Sequence, residues 1–135
     1  MILVDLNQVM ISNLMVQVGG NKNVELDENL FRHMILNTLR SNRTKFGDKF
    51  GELVICCDDK NFWRRERFPY YKANRKKYRD ESAVDWSTVF NTLNKVRDEI
   101  EEFFPYKVIR IETAEADDVI GTVAKDAEKN NFQVY

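Results

Sequence analysis

The chain has 135 residues, 43% hydrophobic and 32% charged, enough for one domain with a real core. No apolar run approaches the roughly 20 residues that cross a bilayer, and the opening MILVDLNQVM lacks the basic start of a secretory signal. A membrane protein is excluded on these grounds and a water-soluble, cytosolic one is expected. The net charge of −1 argues against a uniformly basic nucleic-acid binder, but residues 60–79 hold nine basic side chains and one acid, Glu66.

Met1–Leu6 predicts a short buried strand, with Ile2, Leu3 and Val4 running into Asp5. A weakly helical stretch follows through Val18, and Gly19-Gly20 ends it. Leu26, Leu30, Phe31, Met34, Ile35 and Leu39 then recur at helical spacing. Asp27 suits the N-cap of that helix, with Leu26 and Phe31 as a hydrophobic staple. Gly47 and Gly51 bracket a turn, after which Glu52–Cys57 predicts a second apolar strand ending at Asp58-Asp59. Cys56 and Cys57 are neighbours on that strand and point to opposite faces, so they are read as small core residues rather than a bridge or a metal pair.

Residues 60–82 predict a polar, basic, aromatic segment with no continuous apolar face. Within residues 62–79, cations alternate with Phe62, Trp63, Phe68, Tyr70, Tyr71 and Tyr78. Cations track phosphates, and aromatic faces stack bases at roughly 1–3 kcal/mol each, so single strands can be held without sequence preference. A merely solvated loop would not need six aromatics in eighteen residues.

A second long helix is predicted over about residues 85–104. Its inward stripe would be Trp86, Val89, Phe90, Leu93, Val96, Ile100 and Phe103, and Pro105 ends it. Tyr106–Ile111 predicts a third strand. Thr113 is the expected cap of a helix over about residues 115–129, with Val119, Ile120, Val123, Ala124 and Ala127 inward, and Phe132–Tyr135 opens a fourth strand. Apolar strands alternating with amphipathic helices predict an α/β domain: a mostly parallel, twisted sheet with helices on both faces.

The acids fall at the strand ends. Asp5 closes the first strand, Asp58-Asp59 the second, and Glu115, Asp117 and Asp118 follow the third. Ligands of open parallel sheets bind beyond the carboxyl ends of the strands, so these acids are expected on one edge. Taken singly, each is equally well explained as a turn former or a partner of a helix dipole; three such clusters are not. Converging carboxylates need a cation, and oxygen ligands without His or Cys favour Mg²⁺ or Mn²⁺ over zinc. A helix that includes both puts Glu115 and Asp118 on one face, with Asp117 roughly 100° from Asp118; a later helix start leaves Glu115 in the turn with its direction open. His33, the single histidine, is read as structural, since one histidine makes no zinc site.

Three stretches, LVDLNQ around Asp5, ICCDDKNFWRRERFPYYKANR and ETAEADDVI, span nearly the whole chain. In that order they resemble the 5′-nuclease superfamily of flap endonucleases and the 5′-nuclease domains of bacterial DNA polymerases. Within it, the chain is most similar to phage members with ribonuclease H activity. The resemblance implies a PIN-like core with a basic helical arch at about residues 60–82. It implies that Asp5, Asp58 and Asp117, with Asp118, bind metal, and that Lys72, Arg75 and Glu115 are catalytic, the two cations facing the scissile phosphate. Trp63, Arg64, Arg65, Arg67, Tyr71, Lys76, Lys77, Tyr78 and Arg79 join Lys72 and Arg75 as nucleic-acid contacts, and Asp59 has no assigned role.

The implied reaction is divalent-metal-dependent phosphodiester hydrolysis, with two Mg²⁺ ions in the complete enzyme and Mn²⁺ as substitute. As a 5′→3′ exonuclease and flap endonuclease, the enzyme would remove RNA primers during phage DNA replication in the cytoplasm of the bacterial host. Its substrates would be DNA and RNA–DNA hybrids with a 5′ end or flap, and its partners a phage single-stranded-DNA-binding protein and a sliding clamp. In the family, further aspartates and a helical DNA-binding region follow the fourth strand. A C-terminal segment or complementing chain is therefore expected to complete residues 1–135, which would be the N-terminal part of the catalytic domain. Two alternatives stand beside this: a non-catalytic nucleic-acid-binding or assembly piece of a split nuclease, and a PIN-type ribonuclease, which the long basic segment disfavours.

Overall fold

The computed structural model describes residues 1–18, 26–80 and 84–135, without the side chains of Val18, Lys76 and Asp80. The expected end of the first helix at Gly19-Gly20 and the last residues of the basic segment lie outside the described residues. The elements run β1 (Ile2–Asp5), α1 (Leu6–Val18), α2 (Glu28–Phe50), β2 (Leu53–Cys57), α3 (Trp63–Arg67), α4 (Asn74–Asp80), α5 (Trp86–Phe103), β3 (Lys107–Arg110) and α6 (Ala116–Lys129).

The three strands form one parallel sheet in the order β1-β2-β3. Asp5 stands opposite Cys56, and Cys57 opposite Arg110, so the carboxyl ends of all three strands share one edge. Alternate residues of the strands face two cores. Ile2, Val4, Leu53, Ile55 and Cys57 pack with Leu6, Met10 and Leu14 of α1, Phe31, Ile35 and Leu39 of α2, and Val89, Leu93, Val96 and Ile100 of α5. Val54 and Cys56 pack on the other face with Ala116 and Val119 of α6. The adjacent cysteines thus serve opposite cores as free thiols, and burial pushes them up to about 11 at Cys56 and about 12 at Cys57.

Asp27 caps α2 as its sequence suggests, accepting from the backbone N–H of Asn29 and Leu30 at 3.0 Å each. Asp85 does the same for α5, from Ser87 and Thr88. Gly47 does not begin a turn: α2 continues to Phe50, and only Gly51, at φ 86°, ends it. Phe46 and Phe50 pack against the larger core, and Tyr135 stacks on Phe46 with ring centroids 4.0 Å apart. That burial outweighs the roughly 1 kcal/mol a helical glycine costs.

The cap of α6 is Glu115 rather than Thr113: Glu115 and Asp118 form a capping box, while Thr113 adopts φ 64° in the preceding loop. The stripe of α5 is narrower than its periodicity predicts, since Phe90 is 41% exposed and Phe103 69%. Phe90 turns toward the cleft described below, and Phe103 lies past the buried stripe, which ends at Ile100. Residues 132–135 do not reach strand length, yet Leu3 N donates to Tyr135 O (2.9 Å) and Tyr135 N to Met1 O (3.1 Å), so the segment runs alongside β1.

Candidate metal and nucleic-acid site

A cleft of about 1180 Å³ opens at the carboxyl ends of the strands. Asp5, Asp58, Asp59 and Asp117 line it, together with Lys60, Arg65, Lys72, Arg75 and Arg79 of the basic segment and Arg97 and Arg110 from α5 and β3. Phe62, Tyr78, Trp86 and Phe90 add aromatic surface, and Arg79 sits 5.5 Å from the Phe90 ring centroid.

Each acid is placed by local geometry. Asp5 ends β1 and caps α1, accepting from Gln8 N at 3.0 Å. Asp58, just beyond β2, accepts from Asn7 Nδ2 at 2.6 Å and from Ala116 N, the first residue of α6, at 2.7 Å. Asp117 occupies the first turn of α6 and is exposed. Burial raises the Asp5 carboxyl above its ordinary value, and the negative charges of Asp58 and Asp117 raise it further. Asp5 therefore feels the charge of both other acids, as expected of a site that gathers negative charge.

Glu115 and Asp118 have different surroundings. Glu115 is 1% exposed. Its carboxylate accepts from Lys72 Nζ at 2.5 Å, Arg64 Nη1 at 2.8 Å and the Tyr71 hydroxyl at 3.0 Å. Burial alone would push its pKa up, but the Lys72 and Tyr71 hydrogen bonds and the cationic charges hold it below the ordinary range. Asp118 accepts both Arg64 Nη1 (2.7 Å) and Nη2 (2.6 Å), with Trp63 Nε1 at 3.1 Å. The Arg64 guanidinium holds Asp118 down to about 2. Lys72, at φ 56°, occupies the left-handed region that non-glycine residues rarely adopt.

The structure thus brings Asp5, Asp58, Asp117, Lys72, Arg75, Arg65, Tyr78 and Arg79 to the cleft. It turns Trp63 and Arg64 onto Asp118, and Tyr71 onto Glu115; none of these five lines the cleft, nor do Arg67 and Lys77. The Lys76 side chain lies outside the described residues. Sequence reasoning named Asp59 among the strand-end acids and Phe62 among the stacking aromatics without assigning either to the site, placed Phe90 in a buried stripe, and passed over Asn7. Asp59 joins the loops after β2 and β3, accepting from Thr113 N at 3.0 Å, and Asn7 lies only two positions after Asp5. His33 meets Asn37 at 2.8 Å on α2, and neither lines the cleft.

Among the described residues, no group of three or more Asp, Glu, His or Cys side chains converges closely enough to hold a metal ion as it stands. The donor chemistry nevertheless suits a hard cation: the four carboxylates that line the cleft, Asp5, Asp58, Asp59 and Asp117, come without His or Cys, and the nearby negative charges of Asp58 and Asp117 add to burial in raising the Asp5 carboxyl.

The description "5′-3′ exonuclease, N-terminal resolvase-like domain" matches residues 29–135. A ribonuclease H of Enterobacteria phage T4 is 36% identical over 126 residues, covering 91% of this chain and 41% of that protein. The chain therefore spans less than half the length of the curated relative it matches. Among the described residues, no helix is long and apolar enough to cross a membrane.

Proposed function

The chain belongs to the 5′-3′ exonuclease family, whose N-terminal resolvase-like domain it carries, and from that premise we propose that it is the acid- and phosphate-binding part of a divalent-cation-dependent 5′-nuclease. One observation carries the proposal: acids from three strand ends and a row of cations from the arch segment face the same cleft. Asp5, Asp58 and Asp117 would hold Mg²⁺, or Mn²⁺ in its place, which supplies Lewis-acid polarisation at the scissile phosphate. Lys72 and Arg75 neutralise charge on that phosphate, Arg65 and Arg79 track the backbone, and Tyr78, Phe62 and Phe90 offer faces on which bases stack. Acids from a further or complementing segment would complete a two-ion site.

The proposed substrates are DNA and RNA–DNA hybrids with a 5′ end or flap. The proposed role is primer removal in phage DNA replication, in the host cytoplasm, alongside a single-stranded-DNA-binding protein and a sliding clamp. The test supplies the complementing segment and follows Mg²⁺-dependent release of short products from a 5′-labelled flap or hybrid. Cutting that persists after Asp5→Asn and Asp58→Asn are combined would sink the assigned acids.

A second reading has its own observation. Glu115 and Asp118 are already neutralised by Lys72 and Arg64, which suits a piece that binds nucleic acid without cutting. It predicts salt-sensitive flap binding by this chain and no cleavage in Mg²⁺ or Mn²⁺; efficient cutting by the chain alone would exclude it.

A further inference from the structure

Arg64 sits among the cations of the arch segment, yet its head is turned away from the cleft that Arg65, Lys72, Arg75 and Arg79 line. Its guanidinium spans two carboxylates, meeting Asp118 Oδ1 at 2.6 Å, Asp118 Oδ2 at 2.7 Å and Glu115 Oε2 at 2.8 Å. It lies 4.6 Å from the Trp63 ring centroid and 6.0 Å from that of Tyr71. Trp63 and Tyr71 repeat the same connection, the indole donating to Asp118 and the phenol to Glu115. Three side chains from the foot of the arch therefore close on the two acids that form the capping box of α6.

We infer that Arg64 is a positioning residue: with Trp63 and Tyr71 it clamps the foot of the arch onto the start of α6, and Asp118 serves as its anchor rather than as a metal ligand. The inference rests on the nuclease reading for its purpose. Glu115, oriented by Arg64 and Tyr71, in turn holds the ammonium of Lys72, a residue that lines the cleft, so the clamp sets where that side chain can meet a phosphate. A planar fork suits this task because it engages two carboxylates in fixed directions, which an ammonium cannot do. The backbone reinforces the contact, with Trp63 N donating to Thr113 O and Asp59 N to Ala114 O, both at 2.9 Å.

The test compares wild type, Arg64→Met, Arg64→Lys and Arg65→Met. By hydrogen exchange, Arg64→Met and Arg64→Lys should each speed exchange across residues 62–72 tenfold or more, with β1 and β2 as protected as in wild type. Unchanged exchange in Arg64→Met, or wild-type protection restored by Arg64→Lys, would overturn the clamp. In flap-DNA binding across salt concentrations, Arg65→Met should flatten the slope of log affinity against log salt by about 0.7–0.9, the value of one lost phosphate contact. Arg64→Met should keep the wild-type slope; an equal flattening would make Arg64 a strand contact and defeat the inference. A wild-type chain that binds no flap DNA would count against the nuclease reading instead, and the exchange comparison would still decide the role of Arg64.

Discussion

Asp58 Oδ1 accepts a hydrogen bond of 2.7 Å from the backbone N–H of Ala116, which ties the carboxylate at the end of β2 to the first turn of α6. The bond crosses between elements 58 positions apart, with the other Asp58 oxygen held by Asn7. One acid thereby meets an N-terminal donor that α6 cannot satisfy internally and links the start of α6 to the first turn of α1.

Replacing Asp58 should separate this structural duty from its charge. Asp58→Ala removes the acceptor and should cost about 1–2 kcal/mol, a typical loss for a helix-terminal hydrogen bond. Asp58→Asn keeps an oxygen for Ala116 and lets Asn7 turn its amide, so most of that stability should remain. Thermal melts of the two variants should therefore differ by several degrees, and equal melting temperatures would count against the account.

Asp5 should show the opposite sign. Its folded-state pKa is raised by burial and by the charges of Asp58 and Asp117, so the ionised form destabilises the fold above that pKa. The cost is relieved as pH falls through the raised value. Asp5→Asn preserves the cap on Gln8 and removes the charge, so it should melt higher than wild type at pH 7 in a chelator. Added Mg²⁺ or Mn²⁺ should then stabilise wild type but not the variant. A variant no more stable than wild type in the chelator would refute this.

A pH-dependent contribution should also come from the ion network joining α2 to α5. Arg32 meets Glu99 Oε2 at 2.6 Å and Glu28 Oε1 at 2.8 Å, and Lys95 meets Glu28 at 2.6 Å. Hydrogen bonds from Lys95 and Arg32 lower the Glu28 pKa from 4.5, and that from Arg32 lowers the Glu99 pKa from the same value. Lowered carboxylates contribute stability that is present above the unfolded pKa and lost as pH falls through the folded ones. Arg32→Met should therefore be less stable than wild type at pH 7, and the gap should close below about pH 4. A gap unchanged down to pH 2 would mean that Arg32 contributes by packing alone.

Two phenylalanines read alike in the sequence should behave differently. Phe31 is fully buried, so Phe31→Ala should cost about 3–5 kcal/mol in urea unfolding. Phe103 stands 69% exposed at the end of α5, so Phe103→Ser should stay within about 0.5 kcal/mol of wild type. Comparable losses at both sites would restore the wider stripe that periodicity suggests.

The sequence by itself determined what depends on neighbours a few residues away. The apolar runs of β1 and β2, the cap at Asp27, the opposed cysteines and the acids at the strand ends all follow from period and local hydrogen bonding. The tertiary structure decided the partners. Whether Arg64 turns to a phosphate or to Asp118 depends on a residue 54 positions away, and whether Lys72 reaches Glu115 on one 43 positions away. Periodicity names the face of an element a side chain occupies, but not what is packed opposite it. For the same reason Phe90 belongs to a helical stripe in the sequence and to the wall of a cleft in the fold. The acids were legible because chain direction alone carries them to one edge of a parallel sheet. Their division into four that line the cleft and two that anchor the arch came only from the packing of residues 63–72 against the start of α6.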